Sequence, residues 1–213
     1  MTVLTKLDGA QSLGSAIATG LTAGSNVRTP CGERRVEFLR PGDMIVTRSD
    51  GLQVLRHVFT CTITEALART DPSLAPVRLA SRAIGPMMPQ RELIVAPGHK
   101  VLVPSHAIAQ EAIDICCFVS ARSLTTMLAD VEVVEGIQEM TYYNLVFDAH
   151  QVFTANGAPV ESYRPDGAAL AALERETRDS MIQMFPDLKT NPNAYPHHQY
   201  RTLAETEASP AYV

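Results

Sequence analysis

The sequence predicts an all-β fold of about a dozen short strands with one C-terminal α-helix. Three observations carry this. Between Asn26 and Tyr163 short apolar runs of strand length alternate with turn residues. Several of the breaks are hairpin turns: Pro30-Cys31-Gly32, Ser49-Asp50-Gly51 and Asn156-Gly157. Only one segment, Ala168 to Phe185, repeats its apolar residues every three or four positions.

In chain order, residues 1–18 have no period and read as a flexible leader, with Leu13 and Ile17 as docking points. Strands are expected at Asn26–Thr29, around Val36 and Phe38, at Met44–Arg48 and from Leu52 to Ile63. Residues 66–71 read as irregular, and PVRLAS as a strand. Two prolines make the segment IGPMMPQ irregular, with Met87-Met88 plugging a groove. LIVAPGHKVLVP gives two strands around a Pro-Gly break, AIDICCFV another, and SARSLTTML a short helix. The stretch from Val131 to Ser162 supplies three or four more strands. Asp166 is placed to cap the C-terminal helix, Glu174 and Arg178 to pair on it, and Pro186 to stop it. The expected division is a flexible leader 1–18, a β domain 19–164, a helix and tail 165–207 packed on it, and a frayed end 208–213.

Composition removes several function classes. With 213 residues and 46% apolar content the chain can bury a real core, so disorder is excluded. A net charge of −5 gives no electrostatic reason to bind nucleic acid or anionic lipid. No run of 18 apolar residues exists, so no membrane partner is expected. The four cysteines lack C-x-x-C spacing, and the adjacent Cys116 and Cys117 read as reduced strand thiols. The N-terminus lacks a basic region followed by an apolar one, which favours a cytoplasmic location. GxSxG, HExxH, GxxxxGK[ST] and post-strand GxGxxG motifs are all absent, and no cofactor is expected.

Three local patterns remain. The first runs G-L-T-A-G-S-N-V-R-T-P-C-G from Gly20 and continues as V-E-F-L-R-P-G-D from Val36. The second is A-P-G-H-K-V-L around His99, and the third F-D-A-H-Q-V-F-T-A-N-G from Phe147 to Gly157. In order and spacing these resemble the Hint (hedgehog/intein) family of self-processing domains, in particular the bacterial subgroup that often ends its proteins. The resemblance covers roughly residues 18 to 207.

It implies a mechanism. In such domains a thiol or hydroxyl on the first residue attacks the preceding carbonyl, and a histidine protonates the departing nitrogen. His99 falls at that histidine. Asp148 and His150 fall at the later element near the same cleft, where they would orient groups or shuttle protons. The position of the nucleophile is Gly20, which has no attacking atom. Thr19 and Thr22 are out of register, Cys31 belongs to a turn, and the terminal His-Asn of protein splicing is missing. The resemblance thus implies a domain that has lost self-cleavage and is kept as a structural module or one that binds an unknown protein partner. If the cleft is otherwise intact, restoring the thiol with Gly20→Cys is expected to give thiol-dependent release of the 19 residues ahead of it.

Two other readings stay open from the residues. One is active autoprocessing before residue 20 by a non-standard nucleophile. The other is a metal site built from His99, Asp148 and His150, since residues two apart on a strand share a face. His197 and His198 read as a solvated pair in a polar tail.

Overall fold

The computed structural model describes residues 3–6, 18–108, 116–136, 139–197 and 200–203. The expected docking of Leu13 and Ile17, His198 and the end 208–213 lie outside the described residues.

Fifteen strands are present among the described residues. They are β1 (Val3–Lys6), β2 (Leu21–Thr22), β3 (Asn26–Thr29), β4 (Gly32–Arg35), β5 (Met44–Val46), β6 (Leu52–Val54), β7 (His57–Ile63) and β8 (Val77–Leu79). The second half supplies β9 (Leu93–Val95), β10 (Lys100–Pro104), β11 (Cys116–Ser120), β12 (Val131–Val133), β13 (Met140–Val146), β14 (Val152–Ala155) and β15 (Ala158–Glu161). They form one sheet in the order β1-β7-β13-β2-β9-β8-β12, a second in the order β11-β10-β15-β14-β3-β4, and the separate hairpin β5-β6. Every pairing is antiparallel except β1 on β7. Val3–Lys6, read from the sequence as part of a loose leader, is therefore an edge strand of the larger sheet.

The hairpins form where turn chemistry demands them. Asn156 (φ +47°) and Gly157 (φ +86°) both take left-handed backbone at the β14-β15 turn, as a two-residue reversal with the strand twist requires. The Asn156 side chain accepts from Asn26 N–H (2.8 Å) and donates to the Glu92 carbonyl (2.7 Å), which ties the turn to the start of β3 and the run into β9. Asp50-Gly51 reverses β5 into β6, with Thr47 donating its hydroxyl to the Gly51 carbonyl at 2.8 Å. Inward strand residues from both sheets, among them Leu21, Val27, Val95, Val101, Phe153 and Val160, meet in one fully buried core.

Helical content exceeds the sequence expectation. Residues 66–71, read as irregular, lie in α1 (Glu65–Thr70), where the Thr64 hydroxyl accepts from Leu67 N–H. α2 (Ala121–Met127) follows the expectation and is capped by Ser120. The single C-terminal helix is two: α3 (Gly167–Ala172), capped by Asp166, and α4 (Arg175–Met184). Leu173 (ψ 147°) and Glu174 (ψ 152°) between them are extended. The break lets each helix put an apolar residue, Leu170 and Met181, into one cluster with Phe59, Val146, Tyr163 and Tyr195. With Glu174 before the first turn of α4, the i,i+4 ion pair there is Arg175–Asp179 at 3.8 Å. Tyr195 closes the cluster by donating its hydroxyl to the Phe147 carbonyl at 2.8 Å.

Cys31 is exposed, Cys117 buried, and none of the four cysteines is in a disulfide. Among the described residues no helix is long and apolar enough to cross a membrane.

Candidate functional site

Residues 18–22 run between two sheet neighbours. β2 pairs with β13 on one side and β9 on the other, so this short strand sits in the middle of the larger sheet. The chain ahead of it is held by backbone bonds from the Val95-Ala-Pro-Gly-His99 bend: Ala96 N–H donates to the Gly20 carbonyl and Gly98 N–H to the Ala18 carbonyl, each at 2.9 Å. Pro97-Gly98 breaks the strand between β9 and β10 and leaves His99 at the turn.

There His99 meets the peptide. Gly20 N–H donates to His99 Nδ1 at 3.2 Å. On the other side of the same peptide bond, Asn144 Nδ2 donates to the Thr19 carbonyl at 3.0 Å, and the Thr19 hydroxyl returns a bond to Asn144 Oδ1 at 2.9 Å. The Thr19–Gly20 peptide is thus gripped at both its polar atoms by buried side chains. The bond on Gly20 N fixes the proton arrangement: an Nδ1 that accepts belongs to a neutral ring with its proton on Nε2. Burial pushes the His99 pKa down to about 4; Glu161 opposes this, while Lys100 and His150 add to it. The imidazole is therefore neutral near pH 7.

Behind His99 lies a buried polar cluster. His150 Nε2 is 3.4 Å from Glu161 Oε2, and Glu161 Oε1 accepts from Lys100 N–H at 3.1 Å. Burial pushes the Glu161 carboxyl up, but the His150 contact, the Lys100 charge and His99 together outweigh it, and its pKa is lowered. Glu161 is thus a buried carboxylate facing two imidazoles. A partly open cavity of about 230 Å³ abuts Ala18, Thr19, His99 and Glu161.

Of the residues singled out from sequence, Gly20, His99 and His150 come together. Asp148 does not. It is 66% exposed at the side chain and pairs with Arg56 at 3.2 Å. The reading that put Asp148 and His150 on one strand face fails because residues 147–151 lie between β13 and β14 rather than on a strand. With Asp148 at the surface, the His99, Asp148 and His150 metal site has no geometric basis, and the described residues hold no group of three or more His, Cys, Asp or Glu placed to hold a metal. His197 is exposed.

Sequence reasoning missed Asn144 and Glu161. Asn144 had a usable signal: it alternates with Tyr142 and Val146 along β13, so a polar residue falls on a buried face. Glu161 ends β15, whose four residues are all buried.

Gly20 itself is under constraint. Its φ is +120°, and a Cβ built there would lie 2.8 Å from the Tyr143 carbonyl, 3.0 Å from Asn144 Nδ2 and 3.1 Å from Tyr142 Cβ. The position leaves no room for a side chain in this conformation.

The chain matches the family model described as "Hint domain" over residues 19–167. Among solved structures it is similar to a DnaB intein from Synechocystis sp. PCC 6803, at 12% identity and TM-score 0.44, covering 69% of this chain and 100% of that one. It is similar to a bacterial intein-like domain from Clostridium thermocellum, at 10% identity and TM-score 0.42, covering 68% and 98%. It is also similar to the gp41-1 intein, at 15% identity and TM-score 0.39, covering 68% and 98%. No curated protein matches the chain.

Proposed function

The chain belongs to the Hint domain family, and from that premise we propose that it is a Hint scaffold which still grips the peptide it once cleaved but no longer cleaves it. The carrying observation is the pair of bonds on Thr19–Gly20, His99 Nδ1 at the nitrogen and Asn144 Nδ2 at the carbonyl oxygen, around a residue without a nucleophile. Asn144 holds the oxygen that would gain charge on attack, and His99 faces the nitrogen that would leave. The atom that would start the reaction is missing, and amide exchange does not begin without it.

The constraint at Gly20 supports the same reading. A Cβ would strike backbone, so the site fits a glycine and not a vacated cysteine. On this geometry Gly20→Cys is expected to stay inert, against the sequence expectation of thiol-dependent release. The domain's role is then structural, or the binding of a partner.

Intact mass after incubation with a thiol or with hydroxylamine tests the proposal. One species at 23.1 kDa is the expected result. A fragment beginning at Gly20 refutes it and supports autoprocessing by another nucleophile.

A further inference from the structure

A second cleft, of about 700 Å³ and open to solvent, shares Ile63 and Leu74 with the cavity beside Thr19–Gly20 but does not touch that peptide. Its walls are α1, the turn after it, the chain from Val133 to Gly136 and the start of β13. The Val134 N–H joins two of these walls by donating to the Pro76 carbonyl at 2.9 Å. Ile63, Leu74, Pro76, Val134 and Met140 supply an apolar lining. The size and the mixed lining are those of a small-molecule site.

One cation reaches this lining without a counter-charge. Arg122 is the second residue of α2, and its backbone is pinned. Its N–H donates to the Pro97 carbonyl at 2.9 Å, and its carbonyl accepts from the Thr125 hydroxyl at 2.8 Å. Its Nη1 is buried and has no hydrogen-bond partner among the described residues. The guanidinium keeps its charge at any ordinary pH, and a charged donor taken out of water without an acceptor is costly.

The other polar residues of the lining do not answer that charge. Glu65 is paired with Arg69, and Glu135 is exposed to solvent. The Tyr142 hydroxyl is already donated to the Leu74 carbonyl at 3.2 Å. An anion beside Arg122 would complete the site. A carboxylate suits it best, because its two coplanar oxygens match the guanidinium fork. Glu65 and Glu135 weigh against a dianion.

We propose that this cleft binds a small monocarboxylate with an apolar body, its carboxylate on the Arg122 guanidinium and its body against Leu74, Val134 and Met140. The site does not depend on the uncleaved-peptide reading, since neither Thr19 nor Gly20 lines it.

Benzoate is the probe. It is titrated into the full chain while the methyl signals of Ile63, Leu74, Val134 and Met140 are followed by NMR. Saturable shifts at these methyls are expected. Benzyl alcohol, of similar size but neutral, is expected to bind at least about tenfold more weakly. Phenyl phosphate, a dianion above neutral pH, is expected to bind more weakly than benzoate. Arg122→Met keeps an apolar stem and removes the buried charge, so it should unfold at no lower temperature than the parent chain and lose the benzoate shifts. Arg122→Lys keeps the charge but not the fork, and should weaken benzoate about tenfold. Absence of saturable shifts, equal affinity for benzyl alcohol, or tighter binding of phenyl phosphate overturns the proposal. Undiminished benzoate binding by folded Arg122→Met does the same, and should that variant fail to fold, undiminished binding by Arg122→Lys does so in its place.

Discussion

Replacing Gly20 tests whether the site has been rebuilt around the glycine or has only lost a sulfur. Two costs can be worked from the structure. A side chain held at φ +120° occupies sparsely populated backbone space, at about 1–3 kcal/mol. Its Cβ would also lie 2.8 Å from a backbone oxygen in the middle of a sheet, where neighbours do not yield easily. Overpacking of this kind costs about 1–3 kcal/mol. Gly20→Ala should thus destabilise the fold by about 2–6 kcal/mol, a large share of a typical domain's total stability. Urea unfolding of the two proteins measures this directly. Gly20→Cys should carry a similar penalty and yield no thiol-dependent fragment by mass spectrometry. A loss below about 1 kcal/mol for Gly20→Ala refutes the steric reasoning. Clean release of residues 1–19 from Gly20→Cys refutes it more completely, since the cleft would then accept a side chain and use it.

Other outcomes follow from the same structure. His99 folds with a pKa near 4 against 6.5 unfolded, so the unfolded chain binds more protons between these values. Stability should fall by up to about 3 kcal/mol as pH drops from about 6.5 to 4; the lowered His57 and Glu161 act in the same direction. Urea midpoints across that range check this, and a His99→Phe protein should show a shallower acid loss. Asn156→Ala removes three side-chain bonds and a residue suited to φ +47°, and should cost about 2–4 kcal/mol; Asn156→Gly should recover only the backbone part. Tyr195→Phe leaves the buried Phe147 carbonyl without its hydroxyl donor and should cost about 1 kcal/mol in the same assay.

The β framework was legible because its punctuation is local. Asp50-Gly51 and Asn156-Gly157 specify reversals whatever surrounds them. His99 was legible only through the pattern that flanks it, since a lone histidine on a strand says nothing of the nitrogen it faces. The α1 turn was missed although Thr64 is an N-cap residue, because its six residues bury no side chain and so show no apolar stripe. The break after α3 was hidden because Leu173 keeps the helical spacing while its backbone is extended. Asp148 was misplaced for a related reason. Alternation assigns faces only on a strand, and the chain leaves β13 at Val146 before returning at Val152. Glu161 could not be read from sequence, because its partners His150 and Lys100 reach it through the folding of β10 beside β15.

The seating of β2 has a mechanical consequence. Ala18, Thr19 and Gly20 are each fastened, by Gly98, by Asn144, and by Ala96 with His99, before the chain joins the sheet between β13 and β9. Tension applied through the residues upstream would be shared among these bonds at once, in shear, and would not peel them one after another. Whatever is joined ahead of position 18 is moored to the middle of the larger sheet, with the Thr19–Gly20 peptide as its anchorage.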